Sequence, residues 1–227
     1  MDQEHVLPDW LTRELPDLGR GWHERIGAFG TVGKWRDKPF TVRVGTVCPR
    51  CNQGWMSDLE GEVRQWLTPM LHGRGRTYYR GGLTVLATWA AKTALVIGSR
   101  AGSMPRAPYE FLYRERRASE SSSIWLGAFR PGAYRFYRTF VPVHVSDTDA
   151  AAGETNAYSV TFTVGHAVFH VFGNESGRPG QYAIGPPLAR RLQPIWPLPD
   201  GPVEWPPGRP LTEADLDALS NAHGEVF

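Results

Sequence analysis

Residues 48 to 60 read Cys48-Pro49-Arg50-Cys51-Asn52-Gln53-Gly54-Trp55-Met56-Ser57-Asp58-Leu59-Glu60, with a Cys-x-x-Cys pair directly before an asparagine. After this turn, apolar side chains recur at helical spacing, at positions 55, 56, 59, 63, 66, 67 and 70. Before it, residues 40–47 alternate weakly between apolar and polar, which predicts a strand that ends at the first cysteine. We therefore expect a strand, a cysteine-containing turn and a helix, with Ser57 and Glu60 as a capping box.

A second cluster lies near the start of the chain and reads Glu4-His5-Val6-Leu7-Pro8-Asp9-Trp10-Leu11. Residues 1–12 are predicted to begin with a short strand, on which neighbouring side chains point to opposite faces. His5 can then act as a general base on one side, since imidazole exchanges protons near neutral pH. Glu4 offers a carboxylate oxygen and Asn52 an amide oxygen, which suit a hard divalent cation. These residue types point to phosphodiester hydrolysis.

Together, the two clusters resemble the signature of HNH endonucleases, a family whose fold is a ββα-metal unit. The similarity extends beyond the clusters to Trp89-Ala90-Ala91-Lys92-Thr93-Ala94. The resemblance implies a bacterial enzyme that cuts DNA, with His5 as the base and Glu4 and Asn52 as ligands of a catalytic Mg²⁺ or Mn²⁺. The strand, long loop, strand and helix expected over residues 1–73 have the order that this unit needs.

The cysteines represent one departure from the family pattern. Cys48 and Cys51 are the only cysteines, and a Cys-x-x-Cys supplies half of a tetrahedral zinc site. The resemblance implies a structural Zn²⁺ completed by another Cys-x-x-Cys nearer the N-terminus, which this sequence lacks. Three explanations stay open: the other half lies upstream of Met1, the protein folds without zinc, or the site is degenerate. His23 and His72 are alternative ligands, and the two thiols are expected to be reduced.

A second departure concerns the asparagine that orients the base histidine in HNH enzymes. It usually lies several residues before the Cys-x-x-Cys, but residues 40–47 contain no asparagine. We expect Thr41 or a backbone carbonyl to orient His5 instead.

The net charge of +2 is unevenly distributed along the chain. Basic and acidic side chains number 9 and 10 in residues 1–73, 12 and 3 in residues 74–138, and 4 and 10 in residues 139–227. A basic central segment suits a phosphate backbone. We expect it to bind DNA through arginines, among them Arg74, Arg76 and Arg80. The alternative is a set of solvated arginines in a chain that uses 22 Arg and 3 Lys.

The predicted fold class is α+β, in three parts. Residues 1–73 form the HNH-like unit, in which residues 13–40 are expected to be loop-rich. Residues 74–123 contain a basic joint that runs to residue 82, a buried apolar helix over residues 83–97 and a polar loop over residues 114–123. Residues 124–227 form a β-rich domain with a proline-rich, extended tail and a terminal helix.

The β-rich part is predicted to contain four strands, over residues 124–129, 134–144, 157–164 and 167–172. The last two are expected to form a hairpin that turns near Gly165. His166 and His170 lie in this hairpin and are expected to be structural or surface residues. Thr212 and Asp215 predict a capping box for the terminal helix.

The sequence also favours a cellular compartment and leaves alternatives to a nuclease open. The chain shows no signal peptide and has only two cysteines, which favours a reducing, cytoplasmic setting. The apolar run from Leu83 to Ile97 is too short to span a membrane and contains Lys92. No small-molecule cofactor is implied. The alternatives to a nuclease are an inactive relative that binds nucleic acid and an interaction module.

Overall fold

The computed structural model describes residues 2–15, 21–27, 30–37, 43–99, 106–130, 138–143, 156–174, 182 and 184–221. Its largest sheet has five antiparallel strands and is covered by helices on both faces. Smaller strand pairs accompany helices on the N-terminal side. The α+β class expected from the sequence is confirmed.

The N-terminal strand pair joins the two sequence clusters. Strand β1 (Asp2–His5) is followed by a short helix, α1 (Leu11–Glu14). Strands β2 (Gly21–Gly27) and β3 (Gly30–Asp37) form a hairpin, and β4 (Arg43–Val47) then returns to pair antiparallel with β1.

The hairpin replaces most of the expected loop-rich segment, so that expectation was wrong. The glycines indicated loops, but two of them, Gly27 and Gly30, form the last pair of the hairpin ladder. Aromatic and β-branched residues on either side supply strand-forming sequence.

The helical pattern after β4 begins earlier than its periodicity indicates. Helix α2 (Pro49–Cys51) leads into a widened turn, Asn52–Met56, and then into α3 (Ser57–Leu71). The backbone of Gly54 leaves the helical region, with φ of −101° and ψ of −121°. Because the helical chain already runs through residue 56, Ser57 does not cap it, and the predicted Ser57–Glu60 box is wrong.

The expected buried helix is confirmed and is longer than predicted. Strand β5 (Arg76–Tyr78) leads into α4 (Arg80–Gly98), and α5 (Ala107–Glu115) follows it. Within the described part of the chain, α4 is long and apolar enough to cross a membrane, but it is mostly buried inside the protein. Such burial is typical of a core helix.

The five-stranded sheet contains the four predicted strands and one more. Strands β6 (Ser122–Ala128), β7 (Arg138–Val143), β8 (Ala157–Val164), β9 (Ala167–Asn174) and β10 (Leu192–Trp196) lie in the order β10-β6-β9-β8-β7. The β8–β9 hairpin is confirmed, with Gly165 at a φ of +57°. A side chain on Gly165 would also meet the backbone of Leu71, only 2.6 Å away.

The proline-rich tail is more ordered than expected. It contains α6 (Pro186–Ala189), β10 and β11 (Val203–Trp205), and β11 pairs antiparallel with β5. The terminal helix α7 (Glu213–Asn221) is confirmed. Its predicted capping box is present: Thr212 N–H donates to Asp215 Oδ2 (2.7 Å), and Asp215 N–H donates to Thr212 Oγ1 (3.3 Å).

The main hydrophobic core lies between α4 and one face of the sheet. Trp89 of α4 contacts Phe162 and Phe169 edge-on, at ring-centroid distances of 5.8 and 5.5 Å. The opposite face of the sheet is covered by α7, where Leu216 and Leu219 cluster with Val168. The main core draws side chains from all three parts of the chain.

Candidate functional site

The pairing of β1 with β4 brings the two sequence clusters to neighbouring strands. Glu4 lies opposite Val44 and His5 opposite Arg43, with an irregularity between Asp2 and Glu4. Strand β4 then delivers Cys48 and the turn that contains Asn52. The predicted strand, long loop, strand and helix are thus only partly matched, because α1 and the β2–β3 hairpin lie between the two paired strands.

The imidazole of His5 contacts a carboxylate from the same cluster. Its Nδ1 is paired with Oδ1 of Asp9, four residues further along the chain. The His5 side chain is 16% exposed, whereas that of Asp9 is 73% exposed. Asp9 had no role predicted from the sequence, although it belongs to the same cluster as Glu4 and His5.

Cys48 and Cys51 lie at the junction between strand and helix, as predicted, and are free thiols. Their sulfur atoms are 2.8 Å apart, and the Cys51 N–H donates to Cys48 Sγ at 3.2 Å. These hydrogen bonds, led by that with the Cys51 thiol, lower the pKa of Cys48. Burial and the contact with Cys48 raise the pKa of Cys51.

A tetrahedral zinc site needs four ligands, and this turn supplies two. His72, one alternative ligand, instead lies near Glu14, with 3.7 Å between Nε2 and Oε2. The side chain of His23, the other alternative, lies outside the described residues. Within the described ranges, no three His, Cys, Asp or Glu side chains gather as a metal group. Among the described residues, the cysteine turn thus supplies two of the four donors.

Asn52 starts the widened turn, directly after the second cysteine. Its N–H donates to the Cys48 carbonyl at 3.0 Å, and the residue is half-exposed. An amide oxygen here suits a hard cation, and so does a carboxylate on β1. The side chain of Glu4 lies outside the described residues, so a shared cation between Glu4 and Asn52 stays a prediction.

Two contacts that were not predicted from the sequence join the cysteine turn and α3 to α4 and to the end of α5. Lys92 of α4 is 1% exposed and is ion-paired with Glu60 of α3. The Arg116 guanidinium lies between two rings, with its Cζ 4.5 Å from the centroids of both Trp55 and Tyr113. A lysine inside an apolar helical run was the signal that a buried acidic partner was needed.

A groove opens between the cysteine turn, α4 and α5. Its volume is about 540 Å³, and its lining is mostly apolar, with Trp55, Leu95, Val96 and Tyr109 beside the two cysteines. The groove therefore borders the two cysteines of the turn.

The three predicted DNA-binding arginines have different surroundings. The Arg76 side chain makes intramolecular contacts: it donates to the Gln65 carbonyl at 2.8 Å, and its guanidinium carbon lies 4.6 Å from the Trp66 ring centroid. Arg74 and Arg80 are exposed. Tyr79, beside Arg80, is 68% exposed. The structure thus gives this joint two exposed cations and an exposed aromatic ring.

Comparison of the chain with protein-family models, with curated proteins and with solved structures finds no match.

Proposed function

We propose that this protein is a cytoplasmic, metal-dependent endonuclease of the HNH type that hydrolyses phosphodiester bonds of DNA. The observation that supports the proposal best is the pairing of β1 with β4. It aligns the strand of Glu4 and His5 with the strand that leads into Asn52. The proposal gives each residue the role that its chemistry suits.

His5 is the general base that takes a proton from the attacking water. Its imidazole is mostly buried, which limits its motion, and its Nδ1 is paired with a carboxylate. Glu4 and Asn52 bind the divalent ion, Mg²⁺ or Mn²⁺, through oxygen atoms. When bound, such an ion neutralises charge on the phosphate and stabilises the leaving oxygen.

The joint between α3 and α4 contacts the DNA backbone. Arg74 and Arg80 are exposed there, whereas Arg76 donates a hydrogen bond to the Gln65 carbonyl. Arg76 orders the joint by its hydrogen bond and its ring contacts, so its part in DNA binding is indirect. Phosphate contacts of this kind give affinity without sequence specificity.

Cleavage of supercoiled plasmid tests the proposal. The protein is expected to nick or linearise DNA with Mg²⁺ or Mn²⁺, and EDTA should abolish the reaction. His5→Ala should lower the cleavage rate about 10²–10⁴-fold, because general-base catalysis contributes about that much. Asn52→Ala should raise the metal concentration needed for half-maximal rate. His72→Ala is the matched control, since it also removes an imidazole that lies beside a carboxylate, and it should cleave like the parent.

DNA affinity is measured separately by fluorescence anisotropy without divalent ions. The double variant Arg74→Ala/Arg80→Ala should bind more weakly, and the slope of log K against log salt should fall by about 1 per lost phosphate contact. Arg209→Ala, an exposed arginine in the acidic third of the chain, should bind like the parent. Full metal-dependent cleavage by His5→Ala would refute the assignment of the base.

A second candidate function is nucleic-acid binding without cleavage, and the exposed surface at the joint favours it. Two exposed arginines beside the exposed Tyr79 ring suit a phosphate backbone and a stacked base. A parent protein that binds DNA through these arginines, yet cuts with no divalent ion, would support this candidate over the nuclease.

A further inference from the structure

The contact between His5 and Asp9 bears on a gap in the expected site, which lacks the asparagine that orients the base histidine. The sequence contains no asparagine before the cysteine pair to orient the base. Thr41, the substitute expected from the sequence, lies outside the described residues. Asp9 is the carboxylate that the structure pairs with His5 Nδ1.

The backbone around Asp9 is fixed by its own turn. The Asp9 carbonyl accepts hydrogen bonds from the Thr12 N–H (3.1 Å) and the Thr12 hydroxyl (2.7 Å). The Pro8 carbonyl accepts one from the Leu11 N–H (3.1 Å). These bonds hold the backbone on both sides of the carboxylate.

The turn is also anchored to the core. Trp10 is 8% exposed and Leu11 is fully buried. The Arg64 guanidinium of α3 lies over the Trp10 ring, 5.5 Å from its centroid. Although the Asp9 carboxylate is itself exposed, its backbone cannot move away from His5 without displacing this packing. Asp9 and His5 are also short side chains, so their pairing costs less side-chain entropy than a pairing of two long ones does.

A carboxylate next to one imidazole nitrogen decides which nitrogen is the base. An ionised carboxylate only accepts hydrogen bonds, so the hydrogen of a neutral imidazole stays on Nδ1. Nε2 then keeps its lone pair and can take a proton from water. Carboxylates that orient a catalytic or metal-binding histidine act in this way.

We propose that Asp9 is the positioning residue of His5, holding the imidazole in the Nδ1–H tautomer in place of the missing asparagine. This inference rests on the proposed nuclease function. Asp9 acts through His5 and touches neither the substrate nor the cation.

The test combines a tautomer measurement with kinetics on the full chain. Long-range ¹H–¹⁵N correlation spectra of the imidazoles, recorded at pH 8, give the tautomer of His5, which is assigned by its loss in His5→Ala. The variants are Asp9→Ala, which removes the acceptor, and Asp9→Glu. Asp200→Ala is the matched control, since it removes the same charge from an exposed turn. Cleavage is measured under single turnover with saturating protein, and DNA affinity by anisotropy.

In the parent and in Asp200→Ala, His5 should be in the Nδ1–H form. Asp9→Ala should move it toward the mixture of a free imidazole and slow cleavage about 10–100-fold, the usual effect of losing such a partner. DNA affinity should stay within about twofold, because affinity comes from the arginines. Asp9→Glu should restore part of both signals, whereas a merely structural role would leave the tautomer unchanged.

Two results would overturn the inference: an unchanged tautomer in Asp9→Ala, or a changed tautomer with an unchanged cleavage rate. A parent protein that cuts no DNA with any divalent ion would instead refute the proposed nuclease function. In that event the spectra alone would still show whether Asp9 fixes the tautomer of His5, so the two failures are distinguishable.

Discussion

His170 lies in the middle of the five-stranded sheet, with its imidazole fully buried. Its Nδ1 is 2.8 Å from the Thr161 hydroxyl, and its Nε2 is 3.3 Å from the Tyr182 hydroxyl. The Trp125 ring is nearby, at a centroid distance of 5.6 Å. Burial disfavours the charged imidazolium and lowers the pKa of His170 from 6.5 to about 4. This histidine is therefore neutral and structural, as the sequence analysis expected.

The lowered pKa predicts a pH dependence of stability. Folding favours the neutral imidazole of His170. The stability that depends on this neutral form is complete above pH 6.5 and is lost as the pH falls from 6.5 toward 4. Over that window, His170 should lower the free energy of unfolding by about 3 kcal/mol. Urea unfolding at several pH values measures the slope, and His170→Gln should remove this part of it while keeping a hydrogen-bonding side chain. An equal slope in both proteins would contradict the assignment.

Two capping boxes predicted by the same sequence rule have different outcomes. Thr212 and Asp215 form reciprocal hydrogen bonds at the start of α7. Ser57 makes no such cap, because the helical chain starts earlier and Cys48 is the residue that caps it. Glu60 is instead ion-paired with Lys92. Local sequence defines a helix start only where the preceding residues do not already continue the helix.

This difference predicts unequal effects of matched alanine substitutions. Thr212→Ala should lower the free energy of unfolding by about 1 kcal/mol, the usual effect of losing an N-cap. Ser57→Ala should change it by less than about 0.5 kcal/mol, since an exposed side chain without a capping role contributes little. Chemical denaturation of both variants beside the parent measures the difference. A larger loss in Ser57→Ala would show that Ser57 has a role at this helix that its geometry does not reveal.

At the scale of the molecule, the three parts of the chain share one main core. Val63 of α3, Trp89 of α4 and Phe162 of β8 belong to the same cluster of buried side chains. The Lys92–Glu60 pair joins α3 to α4, with the lysine inside the core. The cysteine turn and the sheet are therefore expected to be stabilised together.

A shared core predicts cooperative unfolding. Glu60→Gln removes the carboxylate that is ion-paired with the buried ammonium of Lys92, which should cost about 3 kcal/mol. Urea transitions followed by tryptophan fluorescence and by far-UV circular dichroism should coincide in the parent and shift together in the variant. The double variant Glu60→Gln/Lys92→Met is the control and should recover part of the loss. Separate transitions, of which only one shifts, would argue for independent units.

Much of the fold was readable from the sequence, because some patterns are local. Alternation identified strands in the β-rich part, and periodicity identified α3 and α4. The glycines before residue 40 led to a wrong prediction of loops, since glycine permits a hairpin turn as readily as a loop. The prolines after residue 185 hid β10 and β11, whose partners lie far away in sequence. The site was readable only as residue types, because its spacing says nothing about distances.

The sequence by itself determined the two clusters, the strand that leads into the cysteine turn and the helix that follows it. Tertiary structure alone decided which side chains meet: Asp9 with His5, Glu60 with Lys92, and Arg116 with Trp55. It also decided the burial of β8, whose Ser159, Thr161 and Thr163 alternate with apolar residues as in a half-exposed strand, yet are buried. The physical reason is that a pattern records one face of an element, whereas burial depends on what packs against the other, and here α7 and its neighbours cover it.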